Sequence, residues 1–472
     1  MAKALSPNRS GAFFRELSRC SPKTGGIVMS QNSNLIVGVN EKVKPGKAIL
    51  LAFQHILSMD LYVFPILLAA MLGLSGADTG YLIQMCFFTC GIATIIQTGI
   101  GIKLPVVQGA SFVALSALAA IGSTNGMPTL IGSLIPGAII LCLLGVTKVF
   151  SKIVNKCVPA YIGGLVIMIV GISLTSTAAS GVISSDGGLM NNMVPGLAAM
   201  LTLIIVNVIS YKTNYRHKFL SLFSVVGALI VGCIVAGFMG TLDFSAVKEA
   251  AWFQVPNVFH FGLPKFELSP CILMTFIYFI VLIETTGVWI TVSDVTGEPL
   301  TDERLNRAVI GEGLGCLVGS VFGGTPLTGY SSNAGVISIT KIGSRVVVMT
   351  AGVILAIMGF CPKLMAIIAS VPGCVISGIF IVICQILIAN GLKIVSREKM
   401  TQKKILVIGL SIVFTVSSMV ISSDVMAMFP STVQYFLSSG TAVGGITAVI
   451  LNLVLPEEST EKVKKSEGVV AQ

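Results

Sequence analysis

Two short stretches, KLPVVQGAS at residues 103–111 and GTPLTGYSS at residues 324–332, decide how this chain folds. Each has a Pro near its start and a Ser at its end. Pro105 and Pro326 lie 221 positions apart, and so do Ser111 and Ser332. Proline removes a backbone donor and pushes the residue before it toward extended backbone, so neither stretch continues as a plain helix. A further echo joins CVPAYIGG around Pro159 to SVPGCVISG around Pro372, offset by 213. Chance likeness in an apolar, Gly-rich chain is the alternative explanation.

Around these stretches the sequence is overwhelmingly apolar. Of 472 residues, 54% are hydrophobic and 11% charged, against about 25% charged in an ordinary soluble domain. The mean hydropathy is +0.93. That excludes a water-soluble globular enzyme. The net charge of +10 does not point to a nucleic-acid partner, because the basic residues sit between long apolar runs, as cytoplasmic loops of membrane proteins do.

Windows of about 20 mostly apolar residues mark membrane spans. They fall at 48–74, 79–100, 104–121, 128–147, 157–176, 193–210, 219–240, 268–291, 306–322, 327–341, 345–361, 366–389, 403–421 and 432–454. The third and tenth contain the opening stretches and are short and polar. The expectation is an all-α polytopic membrane protein with fourteen transmembrane segments. Residues 45–240 form one seven-span repeat, 241–267 an extracellular-side connection, and 268–455 a second repeat. Seven is odd, so the second copy enters the bilayer from the opposite side, which makes the repeat inverted.

Residues 1–48 hold eight Lys and Arg against Glu16 and Glu41, which puts the first end in the cytoplasm. Alternate loops carry Lys103, then Lys148, Lys152 and Lys156, then Lys212, Arg216 and Lys218. Both termini are therefore expected inside, with residues 1–44 and 456–472 as disordered tails. No secretory core is seen near the start, and Met29 is an alternative start site.

Glycine- and proline-interrupted segments at matching places in two halves point to a transporter's site. Backbone that is not helical at membrane depth persists only where protein or a cavity covers it. The site is expected between segments 3 and 10. Glu284, in FIYFIVLIETTGVWITV, has no charged residue in the 16 positions before it. Facing lipid would cost it at least about 2.5 kcal/mol, so it faces the interior, where it accepts a substrate N–H or takes a proton. His55, in a core span beside Gln54, can pass protons or hold a polar group of another helix. Arg304 and Arg307 precede Glu312 closely, which puts it nearer the membrane face, with an ion pair as the alternative to function. Thr328, Tyr330, Ser331, Ser332, Asn333 and Thr340 crowd one stretch. Asn333 offers both a donor and an acceptor to a planar heterocycle. Tight helix packing is the alternative for the small residues. The 11 Cys are scattered, and no metal or cofactor motif, Walker sequence or nucleophile elbow occurs. That leaves ion coupling or passive transport.

Four motifs in order, FQHILSM (53–59), KLPVVQGASF (103–112), LIETTG (282–287) and SSNAGVISIT (331–340), resemble the nucleobase–ascorbate transporters, also called xanthine/uracil permeases. The resemblance covers about residues 45–455. It implies inverted repeats split into core and gate domains, a homodimer in the cell membrane, and import of a nucleobase with H⁺. By the same resemblance Glu284 binds the base, Phe112 meets it from segment 3, Asn333 is the signature asparagine, and His55 supports the polar network. Tyr330 and Ser332 complete the expected substrate set, and His55, Glu284 and Glu312 the proton-coupling set. Two departures bear on the substrate. Ser332 stands where the family has Gln or Glu. Val288 stands where uracil permeases have His, and looks most like the uric acid and purine branch. The expected substrate is a purine, with a uracil-type permease or an anion transporter of the related fourteen-span fold as alternatives. No cofactor is expected.

Overall fold

The computed structural model describes residues 35–157, 159–183, 189–213 and 224–456. Of the expected tails 1–44 and 456–472, residues 1–34 (with Met29) and 457–472 lie outside the described residues, as does the basic loop of Arg216, His217 and Lys218. The first repeat runs through α1 (Pro45–Leu57), α2 (Val63–Leu72), α3 (Gly76–Gly99), β1 (Gln108–Ala110), a 3-10 turn (Phe112–Ala114), α4 (Leu115–Asn125), α5 (Met127–Val146), α6 (Val149–Cys157), α7 (Ala160–Ile183), α8 (Leu189–Lys212) and α9 (Ser224–Phe238). Short α10 (Ser245–Glu249) lies in the connection. The second runs through α11 (Leu268–Thr296), α12 (Asp302–Val321), β2 (Leu327–Gly329), α13 (Ser331–Thr340), α14 (Arg345–Met358), α15 (Pro362–Ala369), α16 (Gly373–Val395), α17 (Gln402–Met419), α18 (Ser423–Met426), α19 (Ser431–Leu437) and α20 (Gly440–Val454).

Seven described helices, α3, α5, α7, α8, α11, α16 and α17, are long and apolar enough to cross a membrane. The bent pairs α14–α15 (87°) and α19–α20 (90°) bring this to nine if each counts as one span. Every one of the fourteen expected segments coincides with a helix, or with a strand or second helix joined to one.

The two halves pack as copies of each other. Helix α3 lies on α14 as α12 lies on α5, and α8 lies on α9 as α17 lies on α20. Three further contacts, α7 with α16, α3 with α12 and β1 with β2, join an element to its own counterpart. Glycine sets the spacing where α3 meets α14: a Cβ at Gly352 would stand 2.9 Å from the Gly91 carbonyl oxygen. Helices in lipid gain by such close approach, since there is no water to drive them together.

Three expectations about segments need correcting. Segment 1 is not one helix: α1 ends at Leu57, and the chain turns through Ser58–Tyr62 before α2. The Ser58 hydroxyl donates to the His55 carbonyl at 2.8 Å, which takes up one of the carbonyls freed at that end. Segment 12 starts later than 366, because 362–369 forms the separate α15. Segment 14 is bent at Ser438–Ser439. Part of the expected N-terminal tail is also held: Ile36 N–H donates to the Lys341 carbonyl at 2.7 Å, and Arg345 N–H to the Val39 carbonyl at 2.9 Å.

Candidate functional site

The two opening stretches meet. Extended backbone before Gly109 and Tyr330 has no helical partner for its N–H and C=O groups, and each copy supplies them to the other. Strands β1 and β2 pair antiparallel, with Gln108 opposite Gly329, Gly109 opposite Thr328 and Ala110 opposite Leu327. Flanking bonds extend the ladder: Ser111 N–H donates to the Pro326 carbonyl at 2.9 Å, and Tyr330 N–H to the Val107 carbonyl at 3.0 Å. Gly109 is required here, because a Cβ would run into the Tyr330 ring and come within 2.7 Å of Leu61 Cδ2. Helix α4 then leaves β1 through the 3-10 turn, and α13 leaves β2 through Tyr330.

Glu284 is buried in the middle of α11. Its Oε2 accepts the Ser111 hydroxyl at 2.8 Å, so the second repeat's carboxylate is held by the first repeat's broken segment. Thr328 comes up beside the same carboxylate, but its hydroxyl closes no hydrogen bond among the described residues. Val288 is buried one turn on, and a Cβ on Gly329 would lie 3.3 Å from its Cγ1.

Asn333 donates through Nδ2 to the Pro105 carbonyl, while its Oδ1 is buried without a partner among the described residues. His55 lies beside Asn333, 2% exposed, and its Nδ1 is likewise unpartnered. The Ser332 hydroxyl at the start of α13 is a third buried group without a bond. The Tyr330 hydroxyl, in contrast, donates to the Ala110 carbonyl at 3.0 Å and stiffens the strand pair. Phe112 stacks on Phe380 of α16 (centroids 5.2 Å, 29°) and tilts against Phe64 of α2 (5.6 Å, 59°).

Glu312 is buried inside the protein and is not in an ion pair among the described residues. It is 2% exposed on α12, while Arg304 pairs with Glu298 at 3.1 Å and Arg307 with Glu303 at 3.6 Å. Two amides donate to its Oε2 instead: Gln97 Nε2 at 3.1 Å from α3 and Gln108 Nε2 at 3.0 Å from β1. Its Oε1 has no partner among the described residues. Thr285 faces Glu312 and accepts Gly329 N–H at 3.1 Å. One residue thus links the two carboxylates to the strand pair. Sequence reasoning missed Gln97, Gln108, Ser111 and Thr285 as members of this network. The signal for Gln97 and Gln108 was a long polar amide in an otherwise apolar span.

These features define an inverted-repeat, multi-pass membrane protein of the transporter class, with a polar site between two crossed broken segments. The chain belongs to the permease family, whose xanthine/uracil permease model matches residues 46–423. It is 31% identical over 428 residues to the uric acid permease PucJ of Bacillus subtilis, covering 87% of this chain and 93% of that one. It is 32% identical over 434 residues to the xanthine permease of the same organism, covering 90% and 98%. The fold is also that of the transmembrane domain of a cyanobacterium bicarbonate transporter, BicA, at a TM-score of 0.54, 15% identity, and 87% and 99% coverage.

Proposed function

We propose that the protein imports a purine nucleobase of the xanthine or uric acid kind across the cell membrane by proton symport. In this reading fourteen segments cross the bilayer, both termini are cytoplasmic, and the protein works as a homodimer. The observation that carries it is the set of buried polar atoms at the broken segments that close no hydrogen bond among the described residues, Ser332 Oγ and Asn333 Oδ1 on α13 and Thr328 Oγ1 beside the Glu284 carboxylate. Buried polar groups are nearly always paired, so a cluster of open ones fits a planar solute that supplies the missing partners.

Glu284 accepts a ring N–H, Asn333 and Ser332 meet another edge, and Phe112 offers an aromatic face. His55 steadies Asn333. Glu312, with one oxygen held by two amides and the other open, takes the coupling proton. The relatives' names, uric acid permease and xanthine permease, agree with a two-ring substrate. An inorganic anion such as sulfate or bicarbonate is disfavoured, because a buried carboxylate repels it and it has no ring N–H to donate in return.

The test is uptake of labelled xanthine in a permease-deficient host, with uracil, uric acid, guanine, ascorbate and sulfate as competitors. Saturable uptake that purines compete for, that a protonophore collapses and that survives replacement of Na⁺ by choline supports the reading. Sulfate or bicarbonate uptake in place of a purine overturns it.

A further inference from the structure

A second hydroxyl-rich site lies away from Glu284. A cleft of about 360 Å³ separates α4 and the end of α2 from α7, α17 and the bend between α19 and α20. Ser116, Ser123, Ser173, Ser176, Thr177 and Ser438 line it, with no charged side chain among the lining residues. Its end of the fold is fixed by Asn125, two residues beyond Ser123, which donates to Glu267 of the 241–267 connection at 2.7 Å.

The lining hydroxyls divide into two sets: Ser123 and Ser438 donate back to the Ala120 and Tyr435 carbonyls at 3.2 and 2.9 Å, and those on α7 do not. In an apolar helix a Ser or Thr ordinarily bonds back to the carbonyl a turn earlier, as Thr175 does to Gly171 at 2.7 Å. Ser173, Ser176 and Thr177 on the same helix close no such bond among the described residues. Ser116 reaches across the cleft to Ser439 at 3.0 Å, so both repeats contribute polar groups to it. Hydroxyls are donors and acceptors at once and rotate to suit either. They can meet any edge of a neutral heterocycle and fix none.

We infer that this cleft is a separate, low-selectivity binding chamber for the same uncharged planar solute, occupied on the way to or from the central site. Ser116 is one turn along the chain from Phe112, which stacks on Phe380, and Phe112, Phe380 and Glu284 are not among the residues that line the cleft. A volume of this size fits a small ligand pocket. The inference rests on the nucleobase reading above.

The test is equilibrium binding of labelled xanthine to the purified full-length protein in lipid nanodiscs. Wild type is expected to show two classes of site. Glu284→Gln should remove the tight class and leave the weak one. Adding Ser176→Ala and Thr177→Val to Glu284→Gln should then weaken the remaining class about tenfold or more, with the thermal melt unchanged as a check on folding. A single class that Glu284→Gln abolishes overturns the chamber and leaves the proposed function standing. A weak class that persists in the triple variant overturns its location. No binding of any nucleobase to wild type overturns both.

Discussion

Gln108 lies directly opposite Gly329 in the strand pair, and the two are separated by the same 221 positions that separate Pro105 from Pro326 in the sequence. In this pair alone a residue faces its own counterpart, which places a two-fold axis through the ladder there and makes Gly109–Thr328 the mirror of the Val107–Tyr330 contact on the other side. The symmetry fails one step further out. Ser111 N–H reaches the Pro326 carbonyl, but the matching Pro105 carbonyl is taken by the Asn333 side chain. The site is built on that difference between the copies.

Replacing Glu284 by Gln removes the charge that accepts Ser111 and, in the proposed function, the base. A hydrogen bond to a charged group contributes about 1.5–3 kcal/mol. Purine accumulation is expected to fall at least about tenfold at matched protein level. Unchanged uptake would remove Glu284 from the site.

Glu312→Gln tests the division of labour between the carboxylates. If Glu312 takes the coupling proton, the variant loses accumulation against a gradient but keeps exchange of labelled for unlabelled purine across the membrane. Loss of both, with binding also lost, would assign Glu312 to substrate recognition instead.

Gly109→Val forces a side chain into the Tyr330 ring and Leu61. Overpacking of this kind costs about 1–3 kcal/mol, and here it also pries apart β1 and β2. A lowered melting temperature in detergent is expected. An unaltered melt would mean that the strand pair tolerates separation.

Asn333→Asp puts an acceptor where the Pro105 carbonyl needs a donor. A buried group left unpaired costs about 1–3 kcal/mol, so both stability and uptake should drop. Wild-type behaviour in both assays would show that the bond between the copies is dispensable.

Ser332→Gln lengthens a side chain whose hydroxyl is buried and unbonded. Transport is expected to survive while the order of preference among purines and uracil changes. If wild type already prefers uracil tenfold, about 1.4 kcal/mol, the pocket argument from Val288 and Ser332 is wrong.

What the sequence alone determined is what local chemistry dictates. Apolar windows set the rough positions of the helical segments along the chain. The repeated Pro and Gly at Pro105, Gly109, Pro326 and Gly329 marked the broken segments, because proline and glycine act on their own backbone wherever they stand. Glu284 was legible because a lone carboxylate in apolar sequence has to find a protein partner.

Only the tertiary structure decided which partners. Ser111 reaches Glu284 across 173 residues and Gln108 reaches Glu312 across 204, distances over which no periodicity carries information. The same holds for Glu312 itself. Its neighbours in sequence, Arg304 and Arg307, suggested an ion pair, yet they turn to Glu298 and Glu303 while α12 carries the carboxylate inward to two amides from the other repeat. The break at Ser58–Tyr62 was also out of reach, since no Pro or Gly marks it. Charge and backbone chemistry are properties of a residue, and a buried polar atom's partner is a property of the packing around it.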